Sequence, residues 1–79
     1  MFSVKVNLNS IDRVKEFVNI MSHKAFDADL VSDRYVIDAK SIMGIFSLNL
    51  TEPKELRAYV TTVDEFETFK TEIKDFIVE

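Results

Sequence analysis

The chain contains no cysteine and no tryptophan, and it has one histidine, one glycine and one proline among its 79 residues. The absence of cysteine excludes disulfides, a thiolate nucleophile and cysteine-based zinc sites, a usage that fits a reducing compartment. With one glycine there is no glycine-rich loop to cradle a phosphate. With one histidine as well, the chain does not assemble the convergent titratable groups of a catalytic pocket, so neither an independent enzyme nor a bound metal or cofactor is expected. Ten basic residues stand against fourteen acidic ones, a net charge of −4. The basic residues are scattered singly rather than drawn into a stripe, which argues against nucleic acid as a partner. No charged leader precedes an apolar run, and no stretch approaches the ~18 apolar residues of a membrane span. A soluble, cytoplasmic protein with no membrane partner is the expectation.

What the chain does have is apolar mass. Seven Phe, two Tyr and a hydrophobic fraction of 47% supply side chains that each stabilise a fold by roughly 1.5–3 kcal/mol when buried. At this length every one of them is needed, and residues 1–79 are expected to form a single domain around one small core. No linker, repeat or low-complexity segment interrupts it.

The apolar pattern changes period along the chain. Phe2, Val4, Val6 and Leu8 alternate with polar residues, the spacing of a strand with one buried face. Ser10 is a natural N-cap, with Asp12 placed where a negative charge meets the positive end of a helix dipole. Ile11, Val14, Phe17, Val18 and Met21 then predict a helix over about Ile11–Lys24. Leu30–Ser32 and Arg34–Ala39 read as two short strands turning at Ser32-Asp33, although no Gly or Asn favours a two-residue turn there. Lys40-Ser41 opens a short helix, Ile42–Leu48, in which Gly44 lowers intrinsic stability by about 1 kcal/mol relative to Ala. Asn49–Pro53 is a turn, because Pro53 lacks a donor and forces Glu52 into an extended conformation. Leu56, Ala58 and Val60 alternate within a fourth strand over Lys54–Thr61. Thr62 with Glu65 forms a capping box before the stripe Phe66, Phe69, Ile73, Phe76 and Ile77 of a last helix. The order βαββαβα predicts an α+β fold, an open-faced β-sandwich whose four-stranded, mainly antiparallel sheet carries three helices on one face.

The stretch Lys40–Leu50, K-S-I-M-G-I-F-S-L-N-L, sets a serine directly before an almost uncharged apolar helix. Together with Asp38-Ala39 ahead of it, it resembles the regulatory-serine region of the histidine-containing phosphocarrier (HPr) family of bacterial sugar phosphotransferase systems. Phe26-Asp27-Ala28-Asp29 resembles that family's aromatic-Asp-Ala-Asp segment, and the resemblance spans essentially the whole chain, with the same βαββαβα order implied. Counting back without a gap, Asn9–Val14, with Lys15 directly after it, lies over the family's active loop, which normally carries Gly-Ile-His-Ala-Arg-Pro. Asp12 then takes the histidine position, Val14 the arginine position and Lys15 the proline position, with Arg13 the nearest guanidinium, one residue out of phase.

The resemblance implies a protein of the phosphotransferase or carbon-regulation system. The departures in the loop turn the expectation from a carrier to a regulatory or adaptor protein without histidine phosphotransfer. The alternative is a working carrier with another acceptor, such as Asp12. The single His23 lies 11 residues beyond Asp12, about 16 Å along a helix, too far to serve the loop. Asp12 has two readings: a first-turn acid that stabilises its helix by roughly 0.3–1 kcal/mol, or a fixed charge that partly mimics a phosphorylated histidine. Ser41 likewise has two: an N-cap worth about 1 kcal/mol, or, as the resemblance implies, the target of a serine kinase. Of the short helix, Ile42, Ile45 and Leu48 are expected in the core. Met43 and Phe46 are expected in an exposed docking patch, with Ile42 and Arg13 at its margin. Asp27 and Asp29 could share a strand face, but two carboxylates do not make a metal site.

Overall fold

The computed structural model describes residues 1–78. The elements run in the order β1 (Phe2–Val6), α1 (Ile11–Met21), β2 (Ala28–Ser32), β3 (Tyr35–Asp38), α2 (Ile42–Phe46), β4 (Lys54–Ala58) and α3 (Val63–Glu72), followed by a 3-10 turn at Lys74–Phe76. The four strands form one antiparallel sheet in the spatial order β1-β4-β2-β3. This is the open-faced α+β sandwich that the alternating periods predict, with the helices covering one face.

Pairing in register explains why the sheet has one dry side. Val4, Leu56, Leu30 and Ile37 lie in one row across all four strands, and Ala58 stands opposite both Phe2 and Ala28. These rows meet Val14, Phe17 and Met21 from α1, Ile45 from α2, and Phe66 and Phe69 from α3 in one apolar cluster. Phe2 stacks on Phe66 with centroids 4.9 Å apart, and Phe17 and Phe26 meet Phe76 and Phe69 edge-on at 5.6 and 5.0 Å, geometries that aromatic quadrupoles favour. The alternate row Ser3, Arg57, Asp29 and Asp38 occupies the uncovered face.

The elements are shorter than their patterns. α1 stops at Met21 rather than Lys24, β3 begins at Tyr35, and α2 ends at Phe46. The hairpin loop is Asp33-Arg34, one residue later than expected, since Ser32 already pairs with Tyr35. Asp33 takes φ 53°, a left-handed conformation that Asp tolerates better than most residues because its short polar side chain bonds locally. The last stripe does not make one helix. α3 ends at Glu72, Phe76 belongs to the 3-10 turn, and Ile77 bridges Val6. Gly44 is explained by packing: a Cβ there would stand 2.7 Å from Ile37 Cγ2, so the missing side chain is what lets α2 lie against β3.

Candidate functional site

The site predicted from sequence comprises the openings of α1 and α2, two helices that pack against each other. Ser10 caps α1 from an extended backbone (φ −148°, ψ 160°), and its Oγ accepts the Arg13 N–H at 3.2 Å. Asp12 lies in the first turn and is exposed, as a dipole-stabilising acid should be. Ile11 begins the apolar stripe on paper, yet it is 61% exposed. It precedes the part of the helix that faces the sheet.

Arg13 already has partners within the chain. Its Nε donates to the Asn7 carbonyl (3.3 Å), its Nη2 donates to the Asp75 carbonyl (2.6 Å), and the guanidinium lies 4.9 Å from the centre of the Phe76 ring. A guanidinium presents a planar fork of donors and stacks on aromatic faces. Here the fork is divided between the Asn7 loop and the C-terminal segment, whose Phe76 also takes the stacking contact. Arg13 therefore ties the loop before α1 to the 3-10 turn, a role that the sequence did not disclose because 62 residues separate Arg13 from Asp75. His23 stands just beyond the other end of α1, exposed, with Nδ1 2.7 Å from the Asn19 carbonyl.

At α2, Ser41 repeats the cap. Its backbone is extended (φ −95°, ψ 102°), and its Oγ accepts the Gly44 N–H at 3.2 Å. The Lys40 ammonium beside it donates to the Lys24 carbonyl (2.9 Å), and Lys24 in turn is ion-paired with Glu72. Ile45 is fully buried, as expected, and Met43 is 76% exposed. Phe46 corrects the expectation. It is half-buried and packs against the core, as do Ile42 and Leu50, because a helix of five residues lying on β3 offers only a narrow outward strip. Leu48 is half-buried outside the core cluster. The exposed apolar residues of the two helices are thus Met43 and Ile11, with Val63 at the start of α3.

A second polar group lies on the open sheet face, around a hollow of about 570 Å³ lined by Asp27, Asp29, Asp38 and Tyr59. Tyr59 donates its hydroxyl to Asp29 Oδ2 (2.8 Å), and this bond, with desolvation and the Asp29 charge adding to it, raises the phenol pKa above its ordinary value against the opposing charge of Arg57. Arg57 is raised in the same sense, first by its side-chain hydrogen bond to Glu55 (2.8 Å) and then by the charge of that carboxylate. Strand alternation could have placed Asp29 on the outer face, but its phenolic partner comes from 30 residues away. Among the described residues no group of three or more His, Cys, Asp or Glu could hold a metal, and no helix is long and apolar enough to cross a membrane.

No protein-family model matches the chain, and no curated protein matches it. Solved structures do. One is the crystal structure of HPr-C-His from Thermoanaerobacter tengcongensis, similar with a TM-score of 0.73 and 26% identity over 94% of this chain and 89% of that one. The fold is HPr-like. The likeness extends over almost the whole length of both chains.

Proposed function

We propose that the chain is a single HPr-like domain, not itself an enzyme, that serves a bacterial phosphotransferase or carbon-regulation system as a regulatory or adaptor protein. It docks on partner proteins through the α1–α2 side without passing phosphate through a histidine. The observation that carries this reading is the location of its one imidazole, which lies beyond the far end of α1 on the Asn19 carbonyl, while the opening of α1 holds Asp12 and an Arg13 that donates to two backbone carbonyls. Phosphate at the start of a helix needs an acceptor and a cation that can turn toward it. The engagement of Arg13 favours an adaptor over a carrier that uses Asp12.

Ser41 is the proposed switch. A phosphate on its Oγ adds about −1.5 to −2 charges two residues from Met43, the most exposed large apolar side chain of the domain. It replaces the cap bond to Gly44 by stronger acceptors, so partner choice changes more than the fold does. Incubation with phosphoenolpyruvate and the general phosphotransferase enzyme tests the first half: no acid-labile label is expected, and stoichiometric labelling of His23 or a hydroxylamine-sensitive label on Asp12 refutes it. Incubation with ATP and the family's serine kinase tests the second, and a label that survives Ser41→Ala reduces Ser41 to a cap.

A further inference from the structure

The two edges of the sheet are finished differently. Along β1 the C-terminal segment supplies partners. Asn7 N–H donates to the Phe76 carbonyl (2.7 Å), Val78 N–H donates to the Lys5 carbonyl (2.9 Å), and Val6 bridges Ile77. Among the described residues no strand pairs with the outer side of β3.

The direction of its free groups follows from the ladder. Ala39 N–H donates to the Ala28 carbonyl (2.9 Å), and hydrogen-bonded positions in an antiparallel pair alternate. Ile37 and Tyr35 therefore turn their backbone groups toward β2, whereas Val36 and Asp38 turn theirs outward. The Asp38 carbonyl accepts from Ser41 N–H (3.0 Å), which leaves the Asp38 N–H and both groups of Val36 unpaired. Tyr35 and Val36 are 60% and 57% exposed. The strand contains no Pro, Lys or bulge of the kind that protects sheet edges. Its defences are a length of four residues and the charge of Asp38.

We propose that β3 pairs with β3 of a second copy, antiparallel and centred on Val36, so that two four-stranded sheets join into one of eight. The choice of partner rests on charge. About that centre Val36 faces Val36, Tyr35 faces Ile37, and Arg34 faces Asp38, each of the unlike pairs occurring twice by symmetry. Opposite charges and aromatic–β-branched pairs are the combinations that stabilise cross-strand neighbours. Centring on Ile37 instead sets Arg34 against Lys40 and Val36 against Asp38. Centring on Tyr35 sets Arg34 against Val36. Arg34 and Asp38 are exposed, and among the described residues neither has an ion-pair partner within its own chain.

Sedimentation equilibrium of the full chain at low salt, up to millimolar concentration, tests this. The expected result is a concentration-dependent dimer that weakens as salt rises. Val36→Pro removes an outward N–H and leaves the β2–β3 ladder intact, so it is expected to be folded by circular dichroism and monomeric. Arg34→Asp and Asp38→Arg each place like charges opposite one another and are expected to raise the dissociation constant about tenfold or more, equivalent to about 1.4 kcal/mol. An equimolar mixture of these two variants restores both ion pairs and is expected to dimerise again. A wild-type chain that stays monomeric overturns the proposal. So does a dimer that survives Val36→Pro, one lost instead in Met43→Glu, or a variant mixture that does not associate.

Discussion

Ser10 and Ser41 open α1 and α2 with the same bond, an Oγ accepting the N–H three residues on at 3.2 Å, yet the two openings are built for different ends. At α1 the charges are permanent and the cation is committed: Asp12 meets the dipole, and Arg13 binds the carbonyls of Asn7 and Asp75. At α2 the first turn carries no acidic residue, and Met43 stands in solvent. The difference teaches that a shared cap does not define a shared site. One opening is a finished structural joint, and the other can still acquire a charge.

The comparison breaks most sharply at Arg13 and Gly44. Arg13→Ala strands two carbonyls and an aromatic face, and a loss of about 1.5–3 kcal/mol in urea unfolding is expected, the range for hydrogen bonds to charged groups. Faster hydrogen exchange at Asn7 and Val78 should accompany it, because both amides pair within the joint that Arg13 holds. Gly44→Ala improves helix propensity by about 1 kcal/mol but drives a Cβ to 2.7 Å from Ile37 Cγ2. A net loss of about 1–3 kcal/mol is expected from overpacking, and a stabilised variant contradicts the packing of α2 on β3.

Smaller effects sharpen the contrast. Ser10→Ala and Ser41→Ala should each cost about 1 kcal/mol, since both lose the same bond, and a much larger loss at one of them shows that its serine does more than cap. Asp12→Asn should cost about 0.3–1 kcal/mol and less as salt rises. Smallest is a pH effect on the sheet face. Because folding raises the Tyr59 pKa, its contribution is complete below the unfolded phenol value of about 10 and is lost as pH rises through the folded value. Absorbance titration should show a phenol that ionises later in the wild type than in Asp29→Ala.

Much of this was legible before the structure. Period-two and period-3.6 patterns gave every strand and helix, and Ser10, Ser41 and Thr62 marked the three helix starts, because caps and faces are local properties. The misreadings have a common origin in tertiary contact. Phe46 is drawn inward because Gly44 lets α2 settle onto Ile37. Phe76 and Ile77 leave the last helix because the end of the chain is needed along β1. Arg13 looked like a guanidinium one residue from usefulness, and its commitment to Asp75 could not be seen across 62 residues of chain.

The central claim is docking without histidine phosphotransfer. Its most direct test is an amide chemical-shift titration of the isotope-labelled chain with the phosphoenolpyruvate-dependent general phosphotransferase enzyme, run with phosphoenolpyruvate present. The account predicts saturable shifts centred on Ile11, Met43 and the rest of α2, removed by Met43→Glu, with the His23 ring signals unchanged. Shifts confined to the open sheet face, or phosphorylation of His23, would contradict it.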